Sequence, residues 1–379
     1  MNKRLLLLLS VVLCFTSAFS QTLSKSAAAQ ASESVLALEK DRQNMGLQKI
    51  WKDKLVSRGD LQMKFATRIL GTKPADGRSL YISLHGGGNT SQAANDQQWK
   101  NQINLYTPKE GVYLAPRAPT NTWNLWHEDH IDDMFAEIIK AAIVNEDVNP
   151  NKVYLLGYSA GGDGLFQLAP RMADYWAAAA MMAGHPGDAS ALSLRNLPFA
   201  IYMGGADAAY KRNELAKVWT DKLDSLQSAN PGSYIHDSHI YEGLPHWMSR
   251  KDTIAIPWLA SFKRHPLPST VSWHQDDRLH TQFYWLGTPK PETGRETIAS
   301  IKGNVITVDK NENAALYIYL NDKLLNLDKK VSVSLNGKLI YNKKAERKLS
   351  LIQTTAKRLD PNLVFSARLL LKDGKVTEE

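Results

Sequence analysis

The chain has 379 residues, of which 43% are hydrophobic and 22% charged, a composition typical of a globular protein that is large enough for two domains. This composition excludes a chain that is disordered over most of its length. The formal net charge is +8, and fifteen basic residues against nine acidic ones lie between Ile301 and Glu379. That excess favours either a solvated basic face or a surface for an acidic polymer. We expect no nucleic-acid partner, because no recognition motif accompanies the charge.

Residues 1–20 have the pattern of a secretory signal peptide. Lys3 and Arg4 precede an apolar run, and the small residues before Gln21 predict cleavage after Ser20. We therefore expect an exported protein, periplasmic or extracellular, with no stable membrane insertion after cleavage. Cys14 is the single cysteine, and a lipid anchor through it is the alternative. Cleavage would leave a mature chain without disulfides, a cysteine nucleophile or a thiolate metal site.

Residues 21–63 are predicted as a helical lead-in. Apolar residues recur at roughly helical intervals from Val35 to Leu55, with Gly46 as a weak point between one or two helices. From residue 64 to residue 264, short apolar runs alternate with helical ones. The predicted strands are "KFATRIL", "SLYISLHG", "GVYLAPRA", "KVYLLGYS", "PFAIYMGG" and "SYIHDSHIYE", and the clearest helices span 131–144 and 209–228.

This alternation predicts an α/β fold with a mostly parallel sheet and helices on both faces. The segment "YWAAAAMMAG" has the alanine content of a helix, but its position between two helical segments favours a buried strand. The stretch "RHPLPST" then indicates a linker, and residues 270–379 contain strand-like runs that predict a small, mostly β C-terminal domain. Asn336-Gly337 between alternating runs predicts a hairpin.

The sequence "KVYLLGYSAGGDG" places Ser159 in a Gly-x-Ser-x-Gly pattern after a predicted strand. Small residues two positions before and after a serine permit a tight turn from strand to helix that exposes the hydroxyl as a nucleophile. Such a serine needs a base and donors for the developing oxyanion. In "SLHGGGNT", Gly87 is a candidate oxyanion donor together with the N–H of Ala160, although the pattern alone leaves open which of the three glycines donates.

The expected chain order of nucleophile, acid and base is met by Ser159, Asp207 and His246. Asp207 follows the predicted strand "PFAIYMGG", and His246 follows the last predicted strand in "GLPHWM". As alternatives, Asp207 could cap the helix after it, and His246 could be an ordinary loop histidine.

These motifs resemble the α/β-hydrolase superfamily, and within it secreted bacterial carboxylesterases related to feruloyl esterases and polyhydroxybutyrate depolymerases. The resemblance spans roughly residues 64–263 and excludes the C-terminal domain. It implies that Ser159 is the nucleophile, His246 the base and Asp207 its orienting acid, with Gly87 and Ala160 as oxyanion donors. No cofactor and no metal is implied.

The stretch "APTNTWNLWHEDHIDD" offers two tryptophans and several metal-ligating residue types. Its spacing does not match a two-histidine helix motif, so we expect no metal there. Trp123 and Trp126 are predicted either to line the substrate pocket or to pack in the core. We also expect substrate contacts from the neighbours of the catalytic motifs, His85, Tyr158 and Trp247.

The predicted function is ester hydrolysis through an acyl-enzyme, on a small-molecule or polysaccharide-linked ester. A serine peptidase of the prolyl-oligopeptidase type would share the motifs, but a large N-terminal propeller has no counterpart in the sequence before residue 64. A non-catalytic binding protein on the same scaffold would be expected to lack one of the three catalytic side chains, and all three are present.

Overall fold

The structure, a computed structural model, describes residues 22–379. The predicted signal peptide and Cys14 lie outside these residues. Within 22–379, no helix combines the length and the apolar character needed to cross a membrane.

The central element is an eight-stranded sheet with the order β1-β2-β4-β3-β5-β6-β7-β8. Strands β3 to β8 pair in parallel, and β1 and β2 add an antiparallel edge. The strands are β1 (Leu55–Arg58), β2 (Leu61–Leu70), β3 (Arg78–Leu84), β4 (Gly111–Pro116), β5 (Val148–Tyr158), β6 (Ala178–Met182), β7 (Phe199–Gly204) and β8 (His236–Tyr241).

Seven α-helices accompany the strands within residues 22–379. They are α1 (Lys25–Asp53), α2 (Gln92–Ile103), α3 (His130–Glu146), α4 (Ala160–Arg171), α5 (Arg212–Ala229), α6 (Ala255–Ala260) and α7 (Leu349–Thr355). Apolar side chains of α3, α4 and α5 pack on one face of the sheet, and those of α2 and α6 pack on the other. The predicted α/β fold with a mostly parallel sheet and helices on both faces is therefore confirmed.

Side chains of the central strands alternate between these two faces. Leu80 and Ile82 of β3 belong to the core beneath α3 and α4, whereas Tyr81 belongs to the core beneath α2 and α6. This period of two follows from the pleat of a β-strand. The strand predicted within "YWAAAAMMAG" is also confirmed, since β6 is buried along its whole length.

The C-terminal part contains two five-stranded sheets, with orders β10-β11-β14-β17-β18 and β16-β15-β13-β12-β9. Its strands are β9 (Thr270–His274), β10 (Gln282–Phe283), β11 (Leu286–Gly287), β12 (Glu296–Lys302), β13 (Val305–Asn311), β14 (Ala315–Leu320), β15 (Val331–Leu335), β16 (Lys338–Lys343), β17 (Ala367–Lys372) and β18 (Lys375–Glu378). The hairpin predicted at Asn336-Gly337 joins β15 to β16.

The lead-in differs from the prediction. Helix α1 runs through Gly46 without a break and ends where Lys54 adopts a left-handed conformation. Leu55–Arg58, predicted as helical, forms strand β1 of the central sheet instead. A left-handed residue ends the helix regardless of the apolar spacing beyond it. In the C-terminal part, "QFYWLG" forms two short strands rather than one, because Tyr284 between them has a positive φ of 52°.

The C-terminal sheets share a hydrophobic core with the central sheet. One continuous cluster of buried side chains includes Trp176 near β6 and Trp273, Trp285 and Phe365 of the C-terminal part. A buried polar group reinforces the contact, since the Tyr284 hydroxyl donates to the Ala173 carbonyl over 3.0 Å. The two parts therefore pack together without a solvent layer at this junction.

Candidate active site

Ser159 lies between the end of β5 and the start of α4. Its backbone has φ 58° and ψ −122°, a conformation that costs a non-glycine residue about 1–3 kcal/mol. The turn is held by two hydrogen bonds, from the Ser159 N–H to the Met182 carbonyl and from the Asp163 N–H to the Ser159 carbonyl, each 2.9 Å. The structure thus has the strand-to-helix turn that the sequence predicts.

The two flanking glycines are required by close backbone contacts. A Cβ atom on Gly157 would lie 2.3 Å from the Gly161 carbonyl oxygen, and one on Gly161 would lie 2.3 Å from the Leu84 carbonyl oxygen. Real Cβ atoms do not approach backbone oxygens so closely. The glycines therefore let the turn pack against β3, next to the loop that follows that strand.

The structure brings the three predicted catalytic side chains together at the carboxyl ends of the strands. His246 Nε2 lies 2.9 Å from Ser159 Oγ, and His246 Nδ1 lies 2.6 Å from Asp207 Oδ2. Because the Asp207 carboxylate only accepts, Nδ1 carries the proton and leaves Nε2 free to accept the Ser159 hydroxyl proton. The Asp207 side chain is 2% exposed and that of His246 40% exposed, so the carboxylate is shielded from solvent while the imidazole is accessible.

The glycine loop after β3 lies against Ser159. A Cβ on Gly86 would be 3.1 Å from Ser159 Cβ, so this glycine allows the loop to approach the nucleophile. The Gly88 N–H donates to Asn95 Oδ1 over 2.9 Å, which removes it as an oxyanion donor. Gly87 has a φ of 107°, and a Cβ at this position would lie 2.2 Å from Asn95 Oδ1. Donation from Gly87 and Ala160 to a substrate remains a prediction.

Asn95 is a supporting residue that the sequence analysis missed. It is fully buried in α2, and its Nδ2 donates to Asn121 Oδ1 over 3.0 Å. Arg117 also donates to Asn121 Oδ1, at 2.5 Å, so one network joins the glycine loop to the segment that carries Trp123. An asparagine within a polar helix gives no sequence signal for this role.

His85 does not reach the protein surface, which corrects the expectation that it contacts a substrate. It is fully buried, and its Nε2 accepts the Ala118 N–H at 3.1 Å. Nδ1 therefore carries the proton and donates to the Gly86 carbonyl. Burial lowers the pKa of His85 to about 4, so the ring is neutral. Its role is to shape the glycine loop.

Trp126 is a core residue, the second of the two alternatives left open by the sequence. It is fully buried, its Nε1 donates to the His85 carbonyl over 3.0 Å, and its Cβ lies where a side chain on Gly164 would be. Trp123, by contrast, is 69% exposed. Of the two tryptophans, only Trp123 is available to a substrate.

Tyr158 is also buried, and its hydroxyl is hydrogen-bonded within the protein, so it is not available to a substrate. Its hydroxyl donates to the His246 carbonyl over 2.7 Å and accepts the Met248 N–H over 3.1 Å. The ring packs against Trp247, with centroids 5.5 Å apart, and Trp247 itself is 47% exposed. The Tyr158 hydroxyl thus connects the loop that contains His246 to the end of β5, directly before Ser159.

The histidines and acids between His127 and Asp133 are dispersed into separate contacts. His130 lies 3.4 Å from Glu128, and buried Asp132 pairs with Arg171 at 2.6 Å and with His280 of the C-terminal part at 2.8 Å. Burial lowers the pKa of His127 to about 4. Among residues 22–379, no group of three or more such side chains has an arrangement that could hold a metal ion.

No protein-family model and no curated protein matches this sequence. Solved structures with similar folds include a thermostable esterase, at 18% identity and a TM-score of 0.43, with 55% of this chain and 62% of that chain covered. An acetyl xylan esterase from Aspergillus awamori is 10% identical, with a TM-score of 0.37 and coverage of 54% and 97%. A mutant feruloyl esterase module from Clostridium thermocellum, complexed with sinapinate, is 12% identical, with a TM-score of 0.39 and coverage of 55% and 86%.

Proposed function

We propose that the protein is an exported serine ester hydrolase that works through an acyl-enzyme. The observation that carries the proposal is the unbroken chain of contacts from Ser159 Oγ to His246 Nε2 and from His246 Nδ1 to Asp207, on a strained and accessible turn. A hydroxyl held against a neutral imidazole in this way is activated for attack on a carbonyl carbon. The proposed location rests on the signal-like residues 1–20.

The reaction follows from the geometry. Ser159 Oγ attacks the ester carbonyl while His246 takes its proton, and backbone N–H groups near Gly87 and Ala160 stabilise the oxyanion. His246 then protonates the departing alcohol. Water enters, His246 removes its proton, and attack on the acyl-enzyme releases the acid and restores Ser159. Asp207 keeps the imidazole in the required tautomer and stabilises its positive charge.

We propose that the substrate carries a ring close to the ester, such as a phenolic or sugar-linked ester. Two exposed tryptophans in segments next to the proposed catalytic residues support this proposal. The Trp123 backbone lies beside Gly88 of the glycine loop, and Trp247 lies beside Tyr158. Large aromatic faces at the rim of a cleft favour stacking on a ring, worth about 0.5–1.5 kcal/mol for a pair.

Hydrolysis assays on the purified chain test the proposal. We expect turnover of p-nitrophenyl acetate and of an aryl ester, little turnover of matched p-nitroanilides, and loss of activity in Ser159→Ala. Ser225→Ala is a matched control, because Ser225 lies on the exposed side of α5. Equal rates for anilides and esters would favour a peptidase. Activity in Ser159→Ala within a few-fold of the parent would exclude Ser159 as the nucleophile.

We further propose that residues 270–379 brace the catalytic region. The shared core and the Tyr284 contact support this proposal, as does a buried ion pair between Arg264 and Asp360. Arg358 of the C-terminal part also pairs with buried Asp174 at 2.5 Å. A binding module tethered by a flexible linker would not require these buried contacts.

A further inference from the structure

A loop of the C-terminal part contacts the segment that carries Trp123. Residues 275–281 connect β9 to β10, and we call them the β9–β10 loop. Within this loop, Arg278 Nε donates to the His127 carbonyl over 3.2 Å, and the guanidinium also pairs with Asp129. The C-terminal part therefore reaches the connection between β4 and α3, which leaves the sheet at the carboxyl end of β4.

The contact rests on a buried ion pair. Arg171 of α4 donates to Asp132 at 2.6 Å, and their side chains are 1% and 6% exposed. His280 of the β9–β10 loop lies 2.8 Å from the same carboxylate. Arg171 Nη1 also donates to the His127 carbonyl over 3.2 Å, so this carbonyl accepts one hydrogen bond from each part of the protein. Separating a buried pair would leave an uncompensated charge, so these groups stay together in the folded protein.

His127 is the packing partner of the Trp123 indole. The two rings meet edge to face, with centroids 5.7 Å apart and planes at 78°. They belong to one turn, since the His127 N–H donates to the Asn124 carbonyl over 2.6 Å. The Glu128 carboxylate accepts the Thr122 hydroxyl over 2.8 Å and thereby joins the two ends of this turn. The orientation of the Trp123 side chain therefore depends on where His127 is held.

The Trp123 side chain has a face open to a substrate ring. Its residue is 69% exposed, and its backbone carbonyl would lie 3.2 Å from a Cβ on Gly88 of the glycine loop. Gly86 of the same loop packs against Ser159. An indole that is free to rotate loses side-chain entropy when a ring stacks on it, whereas one that is already fixed does not. Contacts that hold His127 therefore increase the affinity for a ring.

We propose that Arg278 is a positioning residue for substrate binding, which acts through the His127 carbonyl to hold Trp123 in the orientation that stacks on a substrate ring. The inference rests on the proposed hydrolysis of ring-bearing esters and extends it to the C-terminal part. Besides bracing the catalytic region, residues 270–379 then contribute to the choice of substrate. A purely structural role of Arg278 would affect all esters alike, whereas a role through Trp123 affects those with a ring.

Kinetics with a ring-bearing and a ring-free ester test the proposal. 2-Naphthyl acetate carries a ring that can stack, and trifluoroethyl acetate is an activated ester without one. Fixing one side chain before binding is worth roughly threefold to tenfold in affinity. Arg278→Ala should therefore lower the ratio of kcat/KM for naphthyl acetate to that for trifluoroethyl acetate by this factor, mainly through KM. Arg295→Ala is the matched control and should leave the ratio unchanged, because Arg295 pairs with exposed Glu292 of the same C-terminal part.

A double-mutant cycle determines whether Arg278 acts through Trp123. Trp123→Ala should lower the same ratio, and adding Arg278→Ala to it should change the ratio by less than about twofold, since the positioned group is gone. Thermal unfolding verifies that each variant folds. An unchanged ratio in Arg278→Ala or in Trp123→Ala would overturn the proposal. Equal effects of Arg278→Ala in the presence and in the absence of the indole would also overturn it.

Failure of this inference and failure of the proposed function can be told apart. If the parent protein hydrolyses neither ester, the proposed function is wrong, and calorimetric titration with 2-naphthyl acetate still tests the role of Arg278. Arg278→Ala should then weaken binding roughly threefold to tenfold, and Arg295→Ala should not. No binding by the parent, or equal dissociation constants for the parent and Arg278→Ala, would overturn the inference.

Discussion

The hydroxyl of Tyr158 offers the sharpest test of how the site is held together. Tyr158→Phe removes two hydrogen bonds, to the His246 carbonyl at 2.7 Å and from the Met248 N–H at 3.1 Å, and supplies no replacement. Leaving two backbone groups unsatisfied costs about 1–3 kcal/mol each, so we expect a loss of roughly 2–6 kcal/mol in unfolding free energy. Because the loop that carries His246 is then released, kcat should fall roughly tenfold to a hundredfold, the effect of a displacement of about 1 Å.

Tyr154→Phe is the matched control for this substitution. Tyr154 lies on the same strand and the same face, and its hydroxyl donates to the Phe262 carbonyl over 2.8 Å, far from the nucleophile. It should lose about 1 kcal/mol of stability and keep kcat within twofold. Urea unfolding and kcat and KM on p-nitrophenyl acetate measure both effects. Equal kcat in Tyr158→Phe and Tyr154→Phe would refute a positioning role for Tyr158 and leave only a structural one.

The remaining predictions concern the acid, the pH dependence of stability and the C-terminal part. Asp207→Asn should lower kcat roughly 10⁴-fold because it favours the wrong imidazole tautomer of His246. Asp224→Asn is the control, since the exposed Asp224 carboxylate also contacts a histidine, His236, and its loss should leave kcat unchanged. An unchanged kcat in Asp207→Asn would identify another carboxylate as the acid. Burial lowers the pKa of His85 and of His127 to about 4 in the folded protein. As pH falls below about 6.5, these two histidines therefore take up protons in the unfolded chain but not in the folded one. Stability should therefore decrease by about 2 kcal/mol for each histidine between pH 7 and pH 5, and His127→Leu should remove about half of this decrease in urea unfolding. A chain that ends after Arg264 should be poorly soluble or melt at a lower temperature; a soluble product with an unchanged melting temperature and an unchanged rate on small esters would show that residues 270–379 do not brace the catalytic region.

The strand-to-helix turn at Ser159, the proposed nucleophile, could be predicted from the sequence because its requirements are local. Gly157 and Gly161 are needed within the turn itself, where a Cβ would clash with a backbone oxygen four residues away or on the adjoining strand. Such a requirement is visible as a spacing of residue types. The acid and base were found by their order along the chain, since each follows a recognisable strand.

The sequence could not predict in the same way whether side chains next to the catalytic motifs are buried or exposed. His85 and Tyr158 are expected from the sequence to contact a substrate because they adjoin the predicted catalytic motifs, yet both are buried and hydrogen-bonded to backbone. For Trp126 the sequence leaves a pocket position and a core position open, and the side chain is buried in the core. Adjacent residues at the end of a strand alternate between faces, and loops add their own turns. Proximity in sequence therefore located the site but not its lining.

Two elements were missed for different physical reasons. Strand β1 follows directly on α1, and only the left-handed Lys54 separates them. Helix α7 lies in the part of the chain that is predicted to be mostly β, because seven residues are too few to show a helical period clearly. The partner of α7 is distant in sequence, since α7 packs on α1, whereas β1 is fixed by antiparallel pairing with the next strand, β2.

The contact between α1 and α7 has a consequence for the order in which the fold can form. Ala28, near the start of α1, is buried against Ile352 and Ala356, which are separated from it by more than three hundred residues. During synthesis the first helix must wait for almost the whole chain before this side of it can be covered. Contacts of such high sequence separation slow folding and leave apolar surface open in the interval. We therefore expect nascent chains that lack the last thirty residues to be captured by chaperones or degraded, even though every catalytic side chain has already been made.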